Sequence, residues 1–397
     1  MKKVELLAPA GSLNKVKLAF NYGADAVYLG GEKFGMRRNA IIHGENAILK
    51  NEQLKDAVDF AHQLGKKVYI TVNIFARNSD FDEIKTYLKY LESIKADAVI
   101  VSDLGVMQTV RENTGLEIHV STQASVLNKY TANEYIKLGA KRIILARECS
   151  LEEIKEIADT VKDKCEIEVF VHGLNCIAYS GNCMLAKYMD NRDPNRGECT
   201  FPCRSEYALV GKHKGQYFPI EEDAHGTYIM NSKDLCLINH LDKLVDAGVT
   251  SFKIEGRRQT EYYVAAVVNA YRRAIDGEKF DYMEEVNKIP HRRPWTTGFL
   301  FNENDLIYHE SSKEISDCQV VAKVVNDKKV LPINTLNVGD ELEILSPKSN
   351  HNKTFTVTNI RNEGQELVID CPYQLLPDDF LRKNIESFHL NRESLTA

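Results

Sequence analysis

Short runs of β-branched and aliphatic residues recur along the first 255 positions: Val4–Leu7, Ala26–Leu29, Val68–Val72, Ala98–Val101, Glu117–Val120, Arg142–Leu145, Ile167–Val171 and Phe252–Ile254. Between the first seven lie stretches of helical length and period, such as Leu13 to Tyr22, Asn51 to Leu64 and Phe81 to Ile94. This alternation is that of parallel βαβ units. The phrases Gly23-Ala24-Asp25-Ala26-Val27, Lys95-Ala96-Asp97-Ala98-Val99 and Gly139-Ala140-Lys141-Arg142-Ile143 each put a helix stop just before a strand, with glycine as the terminator in two of them. Eight such strands predict an α/β chain folded as a (β/α)8 TIM-like barrel. A doubly wound sheet shares the alternation, but no GxGxxG follows any strand.

A barrel carries its chemistry where the strands end. Those ends read Pro9-Ala10-Gly11, Gly30-Gly31-Glu32, Asn73, Ser102-Asp103, Ser121-Thr122-Gln123, Arg147-Glu148, His172-Gly173 and Glu255-Gly256-Arg257-Arg258. Some of these residues are equally good helix N-caps, so it is their convergence on one mouth that predicts a site. About 80 residues separate the last two strands, far more than an ordinary connection, which predicts a functional insertion at about 174–250. The expected organisation is a barrel over 1–280, a linker over 281–315 and a small C-terminal β-barrel over 316–397. The last is read from the short alternating runs Gln319–Val325, Glu341–Ile344, Thr354–Ile360 and Leu367–Ile369, separated by turn signals such as Asn337-Val338-Gly339-Asp340.

The composition is that of a globular protein of 397 residues, 43% hydrophobic and 27% charged. With 51 Lys+Arg against 57 Asp+Glu the net charge is −6, so any nucleic-acid binding must use a local basic surface. The start, Met1-Lys2-Lys3-Val4-Glu5 running into Pro9, does not read as a signal peptide, and no apolar run reaches membrane-spanning length. A cytoplasmic protein without a membrane partner is expected. In that compartment thiols stay reduced, so the crowding of five of the nine cysteines between Cys165 and Cys203 points to metal binding or redox chemistry. Cys176, Cys183, Cys199 and Cys203 follow C-x6-C, C-x15-C and C-x3-C spacings with interleaved glycines. Four soft sulfur donors suit zinc or an iron-sulfur cluster. Cys149, Cys165, Cys236, Cys318 and Cys371 read as isolated cysteines in apolar surroundings. His172 and Cys176 also have the makings of the base and nucleophile of a thiol hydrolase, although three further cysteines would be redundant for acyl transfer.

Glu5-Leu6-Leu7-Ala8-Pro9-Ala10-Gly11, Gly23-Ala24-Asp25-Ala26-Val27-Tyr28, Ser121-Thr122-Gln123-Ala124-Ser125, the Cys176/Cys183 segment and Lys253-Ile254-Glu255-Gly256-Arg257 together resemble the collagenase-like peptidase (U32) family. Besides the peptidases that gave it its name, that family holds oxygen-independent hydroxylation proteins acting on transfer RNA, ribosomal RNA and ubiquinone precursors. The run from Glu222 through His225 to Leu235 is similar to the transfer-RNA branch. The resemblance implies hydroxylation of a tRNA wobble uridine to 5-hydroxyuridine, prephenate as co-substrate, and a 4Fe-4S cluster on Cys176, Cys183, Cys199 and Cys203, with Cys236 the alternative for the last ligand. Under this reading Arg147 and Arg257 clamp the carboxylates of prephenate, with Arg258 and Arg37 in reserve. Thr122 and Gln123 hydrogen-bond substrate, while His172 and His225 are the proton-handling candidates. Expected partners are tRNA and a related partner subunit. The C-terminal unit is similar to small barrels of translation factors through Val338-Gly339-Asp340-Glu341-Leu342, and Lys348, Arg382-Lys383 and His291-Arg292-Arg293 are its phosphate-contact candidates. Two other functions remain open: a collagenase-like peptidase, and an RNA-binding protein with a structural zinc site.

Overall fold

The computed structural model describes residues 4–36, 41–42, 45–46, 48–205, 208–210, 217–219, 231–291, 294–303, 306–308, 315–348 and 350–385. Arg37, His225, Arg292 and Arg293 lie outside the described residues. Eight parallel strands form a ring: β1 (Glu5–Pro9), β2 (Ala26–Gly30), β3 (Lys67–Val72), β4 (Ala98–Val101), β5 (Glu117–Val120), β6 (Ala140–Ile144), β7 (Glu166–Gly173) and β8 (Ser251–Ile254). Each pairs with its predecessor, and β8 also pairs with β1 to close the barrel. These are the eight strands predicted from the hydrophobic runs, with ends shifted by about two residues at most.

Helices α1 (Leu13–Asn21), α2 (Asn51–Gln63), α3 (Phe81–Ser93), α4 (Leu104–Asn113), α5 (Lys129–Lys137) and α6 (Leu151–Val161) follow the first six strands. In α6 the buried positions are Ile154, Ile157, Ala158 and Val161, one apolar stripe at helical spacing. Its start is set by a capping box in which Ser150 Oγ accepts from the Glu153 amide and Glu153 accepts from the Ser150 amide. After β7 come α7 (Leu185–Asp190) and α8 (Leu241–Asp246), and after β8 come α9 (Glu261–Ile275) and α10 (Tyr282–Asn287). A short strand, Asp234–Cys236, pairs antiparallel with the end of β7 and parallel with Trp295–Thr296, extending the barrel sheet outward.

Period-two alternation gives the barrel two cores. Leu7, Ala26, Tyr28, Tyr69, Ala98, Ile100 and Ile144 fill the interior, and the opposite faces pack beneath the helices. Among these interior side chains lies a buried ionic network. Glu168, fully buried, accepts from Lys253 Nζ at 2.8 Å and from Arg142 at 3.0 Å. Arg142 also pairs with Glu5 and Glu166. Tyr69 donates to Glu5 at 2.7 Å.

The C-terminal residues form seven antiparallel strands, β9 (Cys318–Asn326), β10 (Lys329–Pro332), β11 (Glu341–Leu345), β12 (Thr354–Thr356), β13 (Ile360–Glu363), β14 (Glu366–Ile369) and β15 (Phe380–Asn384), in the order β12-β11-β15-β9-β10-β14-β13. This is a half-barrel curled around Val321, Val324, Leu342, Ile344 and Leu381. The run predicted as one strand from Thr354 to Ile360 is two, and β10 and β15 were not foreseen. In β15 the polar pair Arg382-Lys383 hides the strand pattern, and it corrects the expectation of a phosphate-binding surface. Arg382 is fully buried against Glu285 at 2.8 Å and against Glu343, while Lys383 pairs with Asp340. His291 is likewise buried, stacked on Trp295 at 4.1 Å. Lys348 alone of the described phosphate-contact candidates is exposed.

Arg382 therefore joins β15 to α10 on the barrel side. Tyr22 at the end of α1 adds a second tie, donating to the carbonyls of Leu345 and Asp378. Arg382→Ala takes the fully buried cation from Glu285 and Glu343, leaving only Lys288 to pair with Glu343 at 3.1 Å, and should cost about 3 kcal/mol in urea denaturation. A change within about 0.5 kcal/mol would show that this ion cluster does not hold the two units together.

Candidate active site

The C-terminal ends of the barrel strands enclose a cleft of about 610 Å³, part of it open to solvent. Its floor is made by Tyr28, Ile100, Ile144 and Phe170 together with Lys253. The Lys253 ammonium lies 4.4 Å from the Tyr28 ring centroid, and burial lowers its pKa while Glu168 opposes the shift. Tyr28 OH donates to the Ile254 carbonyl at 3.0 Å and to Glu255 at 3.1 Å. Sequence reasoning places Glu255 at the mouth without a role and misses Tyr28 and Lys253 as site residues. The available signal was phase: Lys253 and Glu255 alternate with Phe252 and Ile254, which face the outer core.

Two arginines enter this cleft. Arg257 is buried, with Nη1 donating to Thr71 Oγ1 at 3.0 Å and Nη2 donating to the Met36 carbonyl. Gly30 makes room for it, since a Cβ at that position would stand 2.6 Å from Arg257 Nη1. Arg147 lies flat over Phe170, its guanidinium carbon 4.1 Å from the ring centroid, and Nη1 donates to the Leu174 carbonyl at 2.8 Å. Its Nε has no hydrogen-bond partner among the described residues. Arg258 is directed elsewhere: it stacks on Phe201 at 4.7 Å, and Arg204 stacks on the same ring at 4.9 Å. It thus supports the cysteine segment rather than the cleft.

The polar wall comes from β3 and β5. Asn73 donates to Gln123 Oε1 at 3.2 Å, and Ser121 Oγ donates to the same oxygen. Thr122 lines the cleft, but its hydroxyl donates to the Leu145 carbonyl at 3.1 Å, so it staples the ends of β5 and β6 together.

The cysteine-rich insertion is docked over this mouth. Ser180 N and Oγ both donate to Glu148, Asn182 donates to the Gln123 carbonyl and to Ser125, and Arg196 grips Asp80. Cys176 lines the cleft itself. The Leu185 amide donates to Cys183 Sγ at 3.3 Å. Burial raises the Cys203 pKa; Arg204 opposes this, and the thiols of Cys176, Cys199 and Cys183 add to it, so each of those three lies within electrostatic reach of Cys203. Among the described residues, no three His, Cys, Asp or Glu side chains are close enough to share one metal ion. Cys236, the alternative fourth ligand, is buried apart from this set with its sulfur 3.8 Å from Tyr271 OH, and burial raises its pKa to about 11.

His172 is not brought to the cleft. A β-bulge at the end of β7, where Lys253 pairs with Phe170 and Ile254 with His172, shifts the alternation by one residue and turns the imidazole to the outer face. There it contacts Tyr271 OH at 3.3 Å and packs on Trp295 and Tyr263, with Nε2 lacking a hydrogen-bond partner among the described residues. The expected His172–Cys176 pair is therefore not assembled.

Residues 11–310 match the model of peptidase family U32. The chain is 38% identical to a tRNA hydroxylation protein P of Escherichia coli, covering 94% of this chain and 92% of that protein. It is 36% identical to a tRNA hydroxylation protein P of Haemophilus influenzae over 98% of this chain and 99% of that one. An uncharacterized protease of Methanocaldococcus jannaschii is 38% identical, with 87% and 86% covered. Among the described residues no helix is long and apolar enough to cross a membrane.

Burial holds the His172 pKa down at about 3, with Asp234 opposing the shift and His291 adding to it. The unfolded chain binds this proton near pH 6.5, so acidification from about pH 6.5 toward 3 favours unfolding by up to about 1.4 kcal/mol per pH unit through this residue. His172→Phe should stay folded, because Tyr271 keeps its bond to the Val171 carbonyl. Denaturation curves of the variant should lose less stability between about pH 7 and 4 than those of the unaltered protein. Equal losses would contradict a buried neutral imidazole.

Proposed function

The chain belongs to peptidase family U32, and from that premise we propose that it is an iron-sulfur-dependent enzyme that hydroxylates a tRNA wobble uridine to 5-hydroxyuridine, with prephenate as co-substrate. Two relatives named for tRNA hydroxylation align with nearly the whole chain. The observation that carries the reading is the shared position of Cys176, which belongs both to the four-cysteine set and to a cleft furnished with two arginines and a fixed amide.

The donor set fits a 4Fe-4S cluster. Four cysteines come from one segment, a backbone amide already points at one sulfur, and Arg204 and Arg258 flank the set through Phe201, offering positive charge to an anionic group. Each iron of such a cluster takes one thiolate, so the four sulfurs need not converge on a single point. Cys176, Cys183, Cys199 and Cys203 would hold it, and when bound it supplies one-electron transfer beside the cleft.

The chain's own residues bind and orient the reactants. Arg147 and Arg257, held by carbonyls and a hydroxyl, present guanidinium groups to the cleft and match the two carboxylates of prephenate. A wobble base in an anticodon loop is single-stranded, so turning it into the cleft costs little. Replacing C5–H by C5–OH oxidises the base by two electrons, so prephenate, as the oxygen donor, gives up a hydroxyl and takes the hydrogen and two electrons in its place. The peptidase reading lacks its pair, since His172 faces away from Cys176.

Anaerobically purified protein should contain about four iron and four acid-labile sulfide per chain, lost in Cys176→Ala and Cys183→Ala. Nucleoside mass spectrometry of tRNA treated with the protein should show a hydroxylated uridine only when prephenate is present. Arg147→Ala and Arg257→Ala should each raise the prephenate requirement by about 10- to 100-fold. Stoichiometric zinc without sulfide, or hydroxylation indifferent to all four cysteines, would overturn the proposal.

A further inference from the structure

A side-chain amide looks alike at both ends, and only its hydrogen bonds decide which end is oxygen. In the cleft wall that decision passes along a chain. The backbone amide of Met36 donates to Asn73 Oδ1 at 3.0 Å, so the other end of Asn73 is its NH2 group. That group donates to Gln123 Oε1 at 3.2 Å, and Ser121 Oγ donates to the same oxygen. The NH2 end of Gln123 is thereby turned away from its two donors, and Nε2 has no hydrogen-bond partner among the described residues. A Cβ placed on Gly181 of the cysteine segment would stand 3.8 Å from Nε2, and both residues line the cleft beside Cys176. The wall therefore presents an oriented donor pair and no acceptor at this point.

We propose that Gln123 is the base-reading residue of the cleft, its NH2 group donating to O4 of uracil. This rests on the reading of the cleft as a pyrimidine pocket. Uracil carries an acceptor at C4 and cytosine a donor, so a fixed NH2 group accepts the first and opposes the second. The C4 substituent adjoins C5, the carbon that is hydroxylated, so the contact that selects the base also orients the reacting carbon. Asn73 is a positioning residue that acts through Gln123.

The test is fluorescence anisotropy of the full-length protein with two dye-labelled anticodon stem-loops that differ only in uridine or cytidine at the wobble position. The unaltered protein should favour the uridine loop by about tenfold. Gln123→Glu keeps an oxygen for the Ser121 and Asn73 donors and turns the other oxygen to the cleft as an acceptor, so it should reverse the preference. Gln123→Ala should bind both loops with no preference, and Asn73→Ala should weaken the preference without abolishing binding. A uridine preference that survives both Gln123 substitutions overturns the base-reading role and leaves tRNA hydroxylation standing, as does equal binding of the two loops by the unaltered protein. Binding to neither loop overturns the pyrimidine-pocket reading and this inference with it.

Discussion

The buried carboxylate of Glu168 is the constraint on which the mouth of the barrel depends. It lies inside the barrel with Arg142 on one side and Lys253 on the other. Taking such charges out of water is costly, and the arrangement persists only because each has a partner: Ser251 donates to Glu168, and Arg142 has a second carboxylate in Glu5, which accepts from Tyr69. Its consequence is positional. Lys253 is pinned under Tyr28 and Phe170, so the cleft has a cationic floor whose height is set by an ion pair rather than by loop conformation.

From that floor upward the site is assembled by contacts distant in sequence. Arg257 crosses to Thr71 and Met36 through space left by Gly30. Gly173, at φ 107°, passes so close beneath the Glu255 carbonyl that a Cβ there would stand 2.5 Å from the oxygen. This tight crossing directs the chain from the bulged end of β7 across the mouth, where Glu148, Gln123 and Ser125 catch it through Ser180 and Asn182. The cysteine segment is thus a lid with fixed attachments, and Cys176 is the point at which its chemistry and that of the cleft meet.

Much of this was legible in the chain. The eight strands appear as hydrophobic runs because each is buried on both faces, and the mouth residues follow from reading the next few positions after each run. Arg147, Arg257 and Gln123 were identified in that way, Cys176 by the spacing of the cysteines, and all four line one cleft. His172 was misplaced because a single-residue bulge inverts the side-chain phase without any mark in the sequence. Arg258 was misplaced because its direction depends on where Phe201, more than fifty positions earlier, comes to rest. Arg382-Lys383 suggested a basic surface because burial of an arginine depends on carboxylates from elsewhere, here Glu285 and Glu343.

By itself the sequence determined the period-two and helical patterns, the closed α/β architecture they demand, and the clustering of four cysteines, since these are properties of neighbours along the chain. Only the tertiary structure decided which polar groups face one another, which end of Gln123 is the donor and which histidine is turned out of the site. Those are properties of register, bulges and long-range hydrogen bonds, whose energies arise between residues that only folding brings together.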